Sequence, residues 1–169
     1  NTSYCKSIKA KNINVIGKNE IGGIIGDLFG SVYNIVVEGV NATGIDYIGG
    51  IIGNQSNYNS SNTSIMLCEV WASLIHGDNY VGGVSGRSSA NDVIVNNTKV
   101  YGKANYVGGI TGRFGYSGGS KRKIIDSYIE GNNYIGGIAG YSDNSLSNNT
   151  YVENTEIIAK GNYVGGLFG

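Results

Sequence analysis

The side chains in this chain that could carry chemistry are few and far apart. His76 is the single histidine, no cysteine pair or histidine cluster has zinc-ligand spacing, and the HExxH helix of zinc peptidases is absent. A catalytic zinc therefore has too few ligands, and His76 reads as an ordinary surface side chain. Glycoside hydrolysis needs two carboxylates about 5 to 10 Å apart. The pairs one repeat apart are Glu130 with Glu156 and Asp46 with Asp78, each of which also reads as a solvated charge in a turn or strand. A glycine-rich phosphate cradle would occur once, between a strand and a helix; here six glycine clusters occur without helical patterning. No cofactor pattern is present, calcium β-roll nonapeptides are missing, and the expectation is a non-enzyme.

The elements that would position any site follow from the repeat. A phrase of aliphatic, Gly-Gly, aliphatic, one variable residue and Gly, usually opened by Tyr, appears from Glu20, Tyr47, Tyr80, Tyr106, Tyr134 and Tyr163. Its first glycines are Gly22, Gly49, Gly82, Gly108, Gly136 and Gly165, so the steps are 27, 33, 26, 28 and 29 residues. Such a period marks supersecondary units that bury their apolar faces only by stacking on neighbours. The chain reads as a single array over 1–169, with units ending near Gly26, Gly53, Gly86, Gly112, Gly140 and Gly169, and as an excerpt of something longer. It contains 29 glycines and no proline. Formal charge is zero with 14% charged residues, which removes the long-range attraction that nucleic acid requires. No apolar run approaches the roughly 18 residues of a membrane span.

Segments 32–40, 65–75, 93–101, 124–130 and 151–159 are rich in Val, Ile, Thr and Tyr without a 3.6-residue stripe, so they read as strands. The predicted fold is all-β: a β-solenoid, specifically a right-handed parallel β-helix of about six coils, roughly 25 to 30 Å long at about 4.8 Å per coil. The aliphatics before and after Gly-Gly lie three apart, so both face the core only if the backbone bends, and a positive φ or a close approach is assigned to the glycines Gly22, Gly49, Gly82, Gly108, Gly136 and Gly165. On that basis Gly108→Val is expected to cost several kcal/mol. The variable position (Ile25, Ile52, Ser85, Thr111, Ala139, Phe168) reads as outward, and the column Tyr47, Tyr80, Tyr106, Tyr134 and Tyr163 as projecting outward or lying along an edge. Cys5 and Cys68, two coils apart, would be about 10 Å apart in one column, too far for a disulfide, and both are expected to be free thiols.

The phrase YIGGIAG from Tyr134, preceded by IIDSYIEG, resembles the GLUG motif of microbial surface proteins. The resemblance covers the chain from about Gly17 onward, with Glu20 replacing the tyrosine and longer strand segments in the first three units. It implies β-helical stalks in long secreted chains, including adhesins and non-catalytic regions of immunoglobulin A1 metallopeptidases, and hence an extracellular or cell-surface location.

Length variation follows the closing glycine, at 54–64, 87–92, 113–123 and 141–150, where loops are expected on one edge. The basic-aromatic stretch Arg113, Phe114, Tyr116 and Arg122, with the tyrosine column, forms the candidate contact set for a host or cell-surface glycan or protein. Flanking domains or end-to-end neighbours are the other expected partners. Sequons begin at Asn1, Asn41, Asn54, Asn59, Asn62, Asn96 and Asn148; they read either as polar loops or as glycan sites. The expected role is a non-catalytic structural and adhesive segment, a stalk or interaction surface, with a carbohydrate-binding β-helix, or less favourably a carbohydrate-cleaving one, as the alternative.

Overall fold

The computed structural model describes residues 3–57, 64–115, 121–143 and 149–169. These residues form a β-solenoid of four parallel sheets, each drawing one strand from every coil. Sheet A is built from Ser3–Lys11, Gly30–Glu38, Ile65–Trp71, Ala90–Asn96, Arg122–Ile125 and Thr150–Glu153. Sheet B follows with strands such as Leu74–Gly77 and Lys99–Gly102, sheet C with Asn79–Gly82 and Asn105–Gly108, and sheet D with Ser85–Ser88 and Thr111–Phe114. Five coils pass through all four sheets; the sixth supplies strands to A, B and C and touches D through one bridge, Ala139 to Phe168.

Equivalent residues stack in register, which turns sequence repetition into columns. One inward column of sheet A runs Ala10, Val37, Val70, Val95, Ile124, Val152. Val15, Ala42, Ile75, Val100, Ile129 and Ile157 form its counterpart in sheet B. The aliphatics before Gly-Gly form the core column of sheet C; in the central coils Ile48, Val81, Val107 and Ile135 are fully buried. Each such side chain contributes about 1.5 to 3 kcal/mol by leaving water, and β-branched residues suit the pleated surface.

The strand segments read as continuous in the sequence are each divided by a corner. At the turn from A to B, Asn12, Gly39, Ala72, Asn97, Asp126 and Asn154 all have φ between 46° and 67°, the left-handed region that Asn, Asp and Gly enter most readily. The next residue in three coils is Ser73, Thr98 or Ser127, buried, and its hydroxyl donates to the carbonyl two residues back while accepting a backbone N–H from the preceding coil. Buried polar backbone at the bend is thereby satisfied.

At the glycine phrase the left-handed residue is the one assigned outward, not a glycine. Glu20, Tyr47, Tyr80, Tyr106, Tyr134 and Tyr163 have φ between 53° and 62°, whereas Gly30 and Gly39 are the glycines with positive φ among the described residues. Of the two reasons assigned to the glycine corner, positive φ does not hold and close approach does. The glycines are there for proximity. A methyl group on Gly108 would lie 2.6 Å from Ala139 Cα and closer still to the Thr111 carbonyl oxygen. One on Gly86 would lie 2.6 Å from Ile48 N and nearer the Tyr47 backbone. Sheets C and D therefore meet backbone to backbone, with the first and third glycines of the phrase removing the side chains between them.

Two further expectations change. The variable column faces inward: Ile52, Ser85, Thr111 and Ala139 are fully buried. It tolerates polarity because Ser85 shares its hydroxyl with Ser88 and donates to Thr111 Oγ1 at 3.3 Å, while Thr111 donates to the Arg113 carbonyl at 3.0 Å. Residues 87–92 are not a loop, since strands Ser85–Ser88 and Ala90–Asn96 leave Ser89 alone between them. Both cysteines are free, as expected, but they occupy different columns: Cys5 aligns with Val32 and Ile65, Cys68 with Val93.

Gly108→Ala should destabilise the chain by at least about 3 kcal/mol in urea unfolding, because the methyl group meets main-chain atoms that cannot move aside. Ala72→Gly, at a left-handed φ of 47°, should instead stabilise by about 0.5 to 1 kcal/mol. The opposite signs separate close approach from φ as the reason for glycine.

Candidate functional site

The glycine contact decides where the tyrosines go. Because the closing glycines Gly86, Gly112, Gly140 and Gly169 lie against the tyrosine backbone of the coil before, each ring is held beside sheet D, where Arg87 lies over Tyr47 and the next ring follows one rung later. The rings stack at 4.7 Å for Tyr47 with Tyr80, 4.8 Å for Tyr80 with Tyr106, 5.0 Å for Tyr106 with Tyr134 and 4.6 Å for Tyr134 with Tyr163. Interplanar angles of 11° to 23° make this an offset stack. The preceding column supports it. Asn79 donates to Asp46 at 3.0 Å, Asn133 donates to Asn105 at 3.1 Å, and Asn162 N donates to Asn133 Oδ1 at 2.8 Å. That amide ladder was legible as the Asn or Asp preceding every phrase, at 19, 46, 79, 105, 133 and 162, but was not singled out.

Beside the rings runs the sheet D column Asp27, Asn54, Arg87, Arg113, Tyr141. The Arg87 guanidinium lies 4.8 Å from the Tyr47 ring centre, and Arg113 makes a two-bond fork to Asp143 at 3.0 Å. Tyr141 meets Tyr106 and Tyr134 edge-on at 5.9 and 6.4 Å. Asn54 donates to Glu20 and Asp27 and accepts from Arg87 Nε at 2.9 Å. It is 3% exposed, which removes it from the candidate glycan sites. Asn41 is exposed and Asn96 half-buried, while Asn1, Asn59, Asn62 and Asn148 lie outside the described residues.

Burial, reinforced by the neighbouring phenols, pushes Tyr80 and Tyr134 above the ordinary tyrosine value. The inner rings cover one another's faces and are half-buried, so the strip presents edges and hydroxyls; Tyr163, 62% exposed, is the most open of the five. Phe114 and Arg122 are corrected out of the contact set by burial, at 1% and 0% exposed. Arg122 donates to the Ala90 carbonyl and to Asn91 Oδ1, both at 2.8 Å, over the Phe114 ring at 4.5 Å. Desolvation lowers it to about 10, so it is a buried cation that anchors sheet A to sheet D. Tyr116 lies outside the described residues.

The carboxylate pairs are not brought into facing positions. Glu130 aligns with Ile158 while Glu156 aligns with Tyr128. Glu130 is held below the usual carboxylate range, first by Lys160 at 2.7 Å and then by the Tyr128 hydroxyl, which that bond raises to about 12. Asp46 aligns with Asn79, and Asp78 pairs with Lys103 at 3.2 Å. His76 stands in the column of Ile16, Thr43 and Glu130, with its ring 6.2 Å from Tyr101. Burial lifts the Cys68 thiol to about 11, which leaves it a protonated, poor nucleophile at neutral pH. Among the described residues no three His, Cys, Asp or Glu side chains gather as metal ligands would.

No protein-family model matches the chain, and no curated protein sequence matches it. Among solved structures, one described as a "putative immunoglobulin A1 protease from Bacteroides ovatus" superposes with a TM-score of 0.50 at 18% identity. The chain shares that protein's β-solenoid fold. The match covers 96% of this chain and 59% of the other.

Tyr106→Ala removes a ring stacked on both faces and should cost about 2 to 4 kcal/mol, whereas Tyr163→Ala, at the open end, should cost under about 1 kcal/mol. For Tyr80 and Tyr134, whose folded values are raised, the neutral phenol is the stabilised form. Their contribution is complete below pH about 10 and is lost as pH rises beyond it. Phenolate absorbance titration followed alongside unfolding midpoints checks both statements.

Proposed function

We propose that this chain is a non-catalytic structural and interaction segment of GLUG type, a stalk in a secreted or cell-surface microbial protein. The observation that carries the reading is the unbroken register from the first coil to the sixth, spined by five stacked tyrosines. Every coil repeats the contacts of its neighbours, so length can change by whole coils without rearranging anything else. A stalk needs that property, and a single catalytic cleft does not.

The placement of the ionisable groups supports the same reading. Glu130, Asp78 and Asp46 are each engaged by a cation or an amide, which suits solvated structural charges more than an acid and base poised at different values. The likeness to the Bacteroides ovatus protein supports an extracellular setting, and its greater length fits a segment that accompanies other parts of a larger chain. Because the chain spans 59% of that protein, any proteolytic activity belongs to that protein's own description.

Two measurements test this. Removal of residues 80–105, one full period from tyrosine to tyrosine, should leave a cooperative, β-rich chain with a modestly lower midpoint. The intact chain should release no fragments from immunoglobulin A1, casein or oligosaccharides; a product that vanishes in Glu130→Gln or Asp78→Asn would overturn the non-catalytic reading.

A further inference from the structure

The outer face of sheet A carries a concavity of about 630 Å³ that the tyrosine ladder does not touch. One wall is the column of left-handed residues that runs through Asn34, Leu67 and Asp92. The other is the outward column Glu69, Ile94, Lys123, Tyr151. The lining spans the second to the sixth coil, so the groove runs along the solenoid axis for about 19 Å at one rung per 4.8 Å. That length and volume leave room for one extended chain in single file.

Leu67 is the feature that asks for a ligand. It is 43% exposed and has a φ of 51°. Its column neighbours Ser7, Asn34 and Asp92 are short polar residues, the kind that this backbone conformation accepts. A leucine there is both strained and solvated, and strain of this kind is retained at ligand-contacting positions more than elsewhere. Tyr151, 54% exposed, adds an open aromatic surface at the far end, with Ile94 between them.

We infer that this groove binds a neutral oligosaccharide lying along the solenoid axis, with pyranose faces on Leu67, Ile94 and Tyr151 and hydroxyls on Asn34, Glu69 and Asp92. A hexopyranose residue is amphipathic, apolar across its ring face and polar around its rim, and its length is close to one rung. The charges in the lining balance, two carboxylates against Lys121 and Lys123, and Lys123 is already paired with Glu153 at 3.1 Å. A polyanion therefore has no surplus of cations to meet. An extended peptide fits less well: its same-face side chains recur about every 6.6 Å, and the strands beneath are already hydrogen-bonded on both sides, so no sheet edge is offered for strand addition. The inference rests on reading the solenoid as an interaction surface.

The protein carries its own reporter. Trp71 is the single tryptophan, and its indole N–H donates to Glu69 Oε2 at 2.9 Å, so a sugar hydroxyl that reaches Glu69 changes the indole environment. The 169-residue chain would be titrated with cellohexaose, mannohexaose and chitohexaose, with hexagalacturonan as the anionic comparison, by tryptophan fluorescence and calorimetry. Saturable binding of at least one neutral hexamer is expected, weakened about tenfold or more by Leu67→Asn and by Tyr151→Ala. Leu67→Asn should keep or raise the unfolding midpoint, because Asn suits a left-handed φ; this separates lost contact from lost fold. Binding of the anionic hexamer alone, no binding by any neutral hexamer, or affinity unchanged in both variants would each overturn the inference. Reducing-end analysis of the bound hexamer distinguishes the two readings: cleavage would sink the non-catalytic stalk while leaving the groove, and an empty groove on a well-folded solenoid would do the reverse.

Discussion

The structure depends on the absence of side chains between sheets C and D. The first glycine of each phrase lies against main-chain carbonyl oxygens at sheet D, and from the second phrase onward the third lies against the backbone that opens the phrase one coil back, Glu20 or a tyrosine. No larger residue fits, because the obstructing atoms belong to main chain already committed to parallel ladders. Close backbone packing brings the two sheets together, and the Val and Ile columns of sheets A, B and C fill one core with sheet D's Ile52, Phe114 and Ala139.

That seam also determines the exposed face. A strand that must bring an aliphatic inward immediately before Gly-Gly reverses its alternation at the preceding residue, and does so through a left-handed φ. An isolated tyrosine has little reason to accept this conformation, but here the three inner rings each gain two stacked neighbours and the end rings, Tyr47 and Tyr163, gain one. Local backbone strain and inter-coil stacking are thus two parts of one arrangement, repeated at 4.6 to 5.0 Å. In the first coil Glu20 takes the same φ without a ring and serves as an acceptor for Asn54. The sheet A–B corner reaches the same end by other means, with Asn, Asp and Gly at the bend and a buried hydroxyl behind it.

The repeat, the fold class, the inward aliphatic columns and the column shared by Ile16, Thr43, His76 and Glu130 were all legible in the sequence, since a fixed period leaves one way of stacking in register. The tyrosine column was legible too, including its ladder of offset contacts at about one rung per ring, which the rings realise at 4.6 to 5.0 Å. What misled was parity. Counting alternation outward from the glycines placed Ile52, Ser85, Thr111 and Ala139 on the surface, whereas the close meeting of sheets C and D turns that column inward. Phe114 and Arg122 looked like loop residues because they flank an insertion, yet each begins or ends a strand and points into the core.

The sequence by itself determined the solenoid, because one apolar pattern repeated at a near-constant period can be buried only by stacking copies of itself. It also determined that every coil needs glycine at the same places. Tertiary structure alone decided which constraint those glycines answer, which residue takes the left-handed turn, and which surfaces are open. Those outcomes depend on distances between residues more than one repeat apart in sequence, such as Gly49 to Val84 and Gly108 to Ala139, and such distances are set only when the sheets have closed on one another. The groove beside Leu67 is of the same kind: its two walls are columns assembled from five coils, and no single repeat contains it.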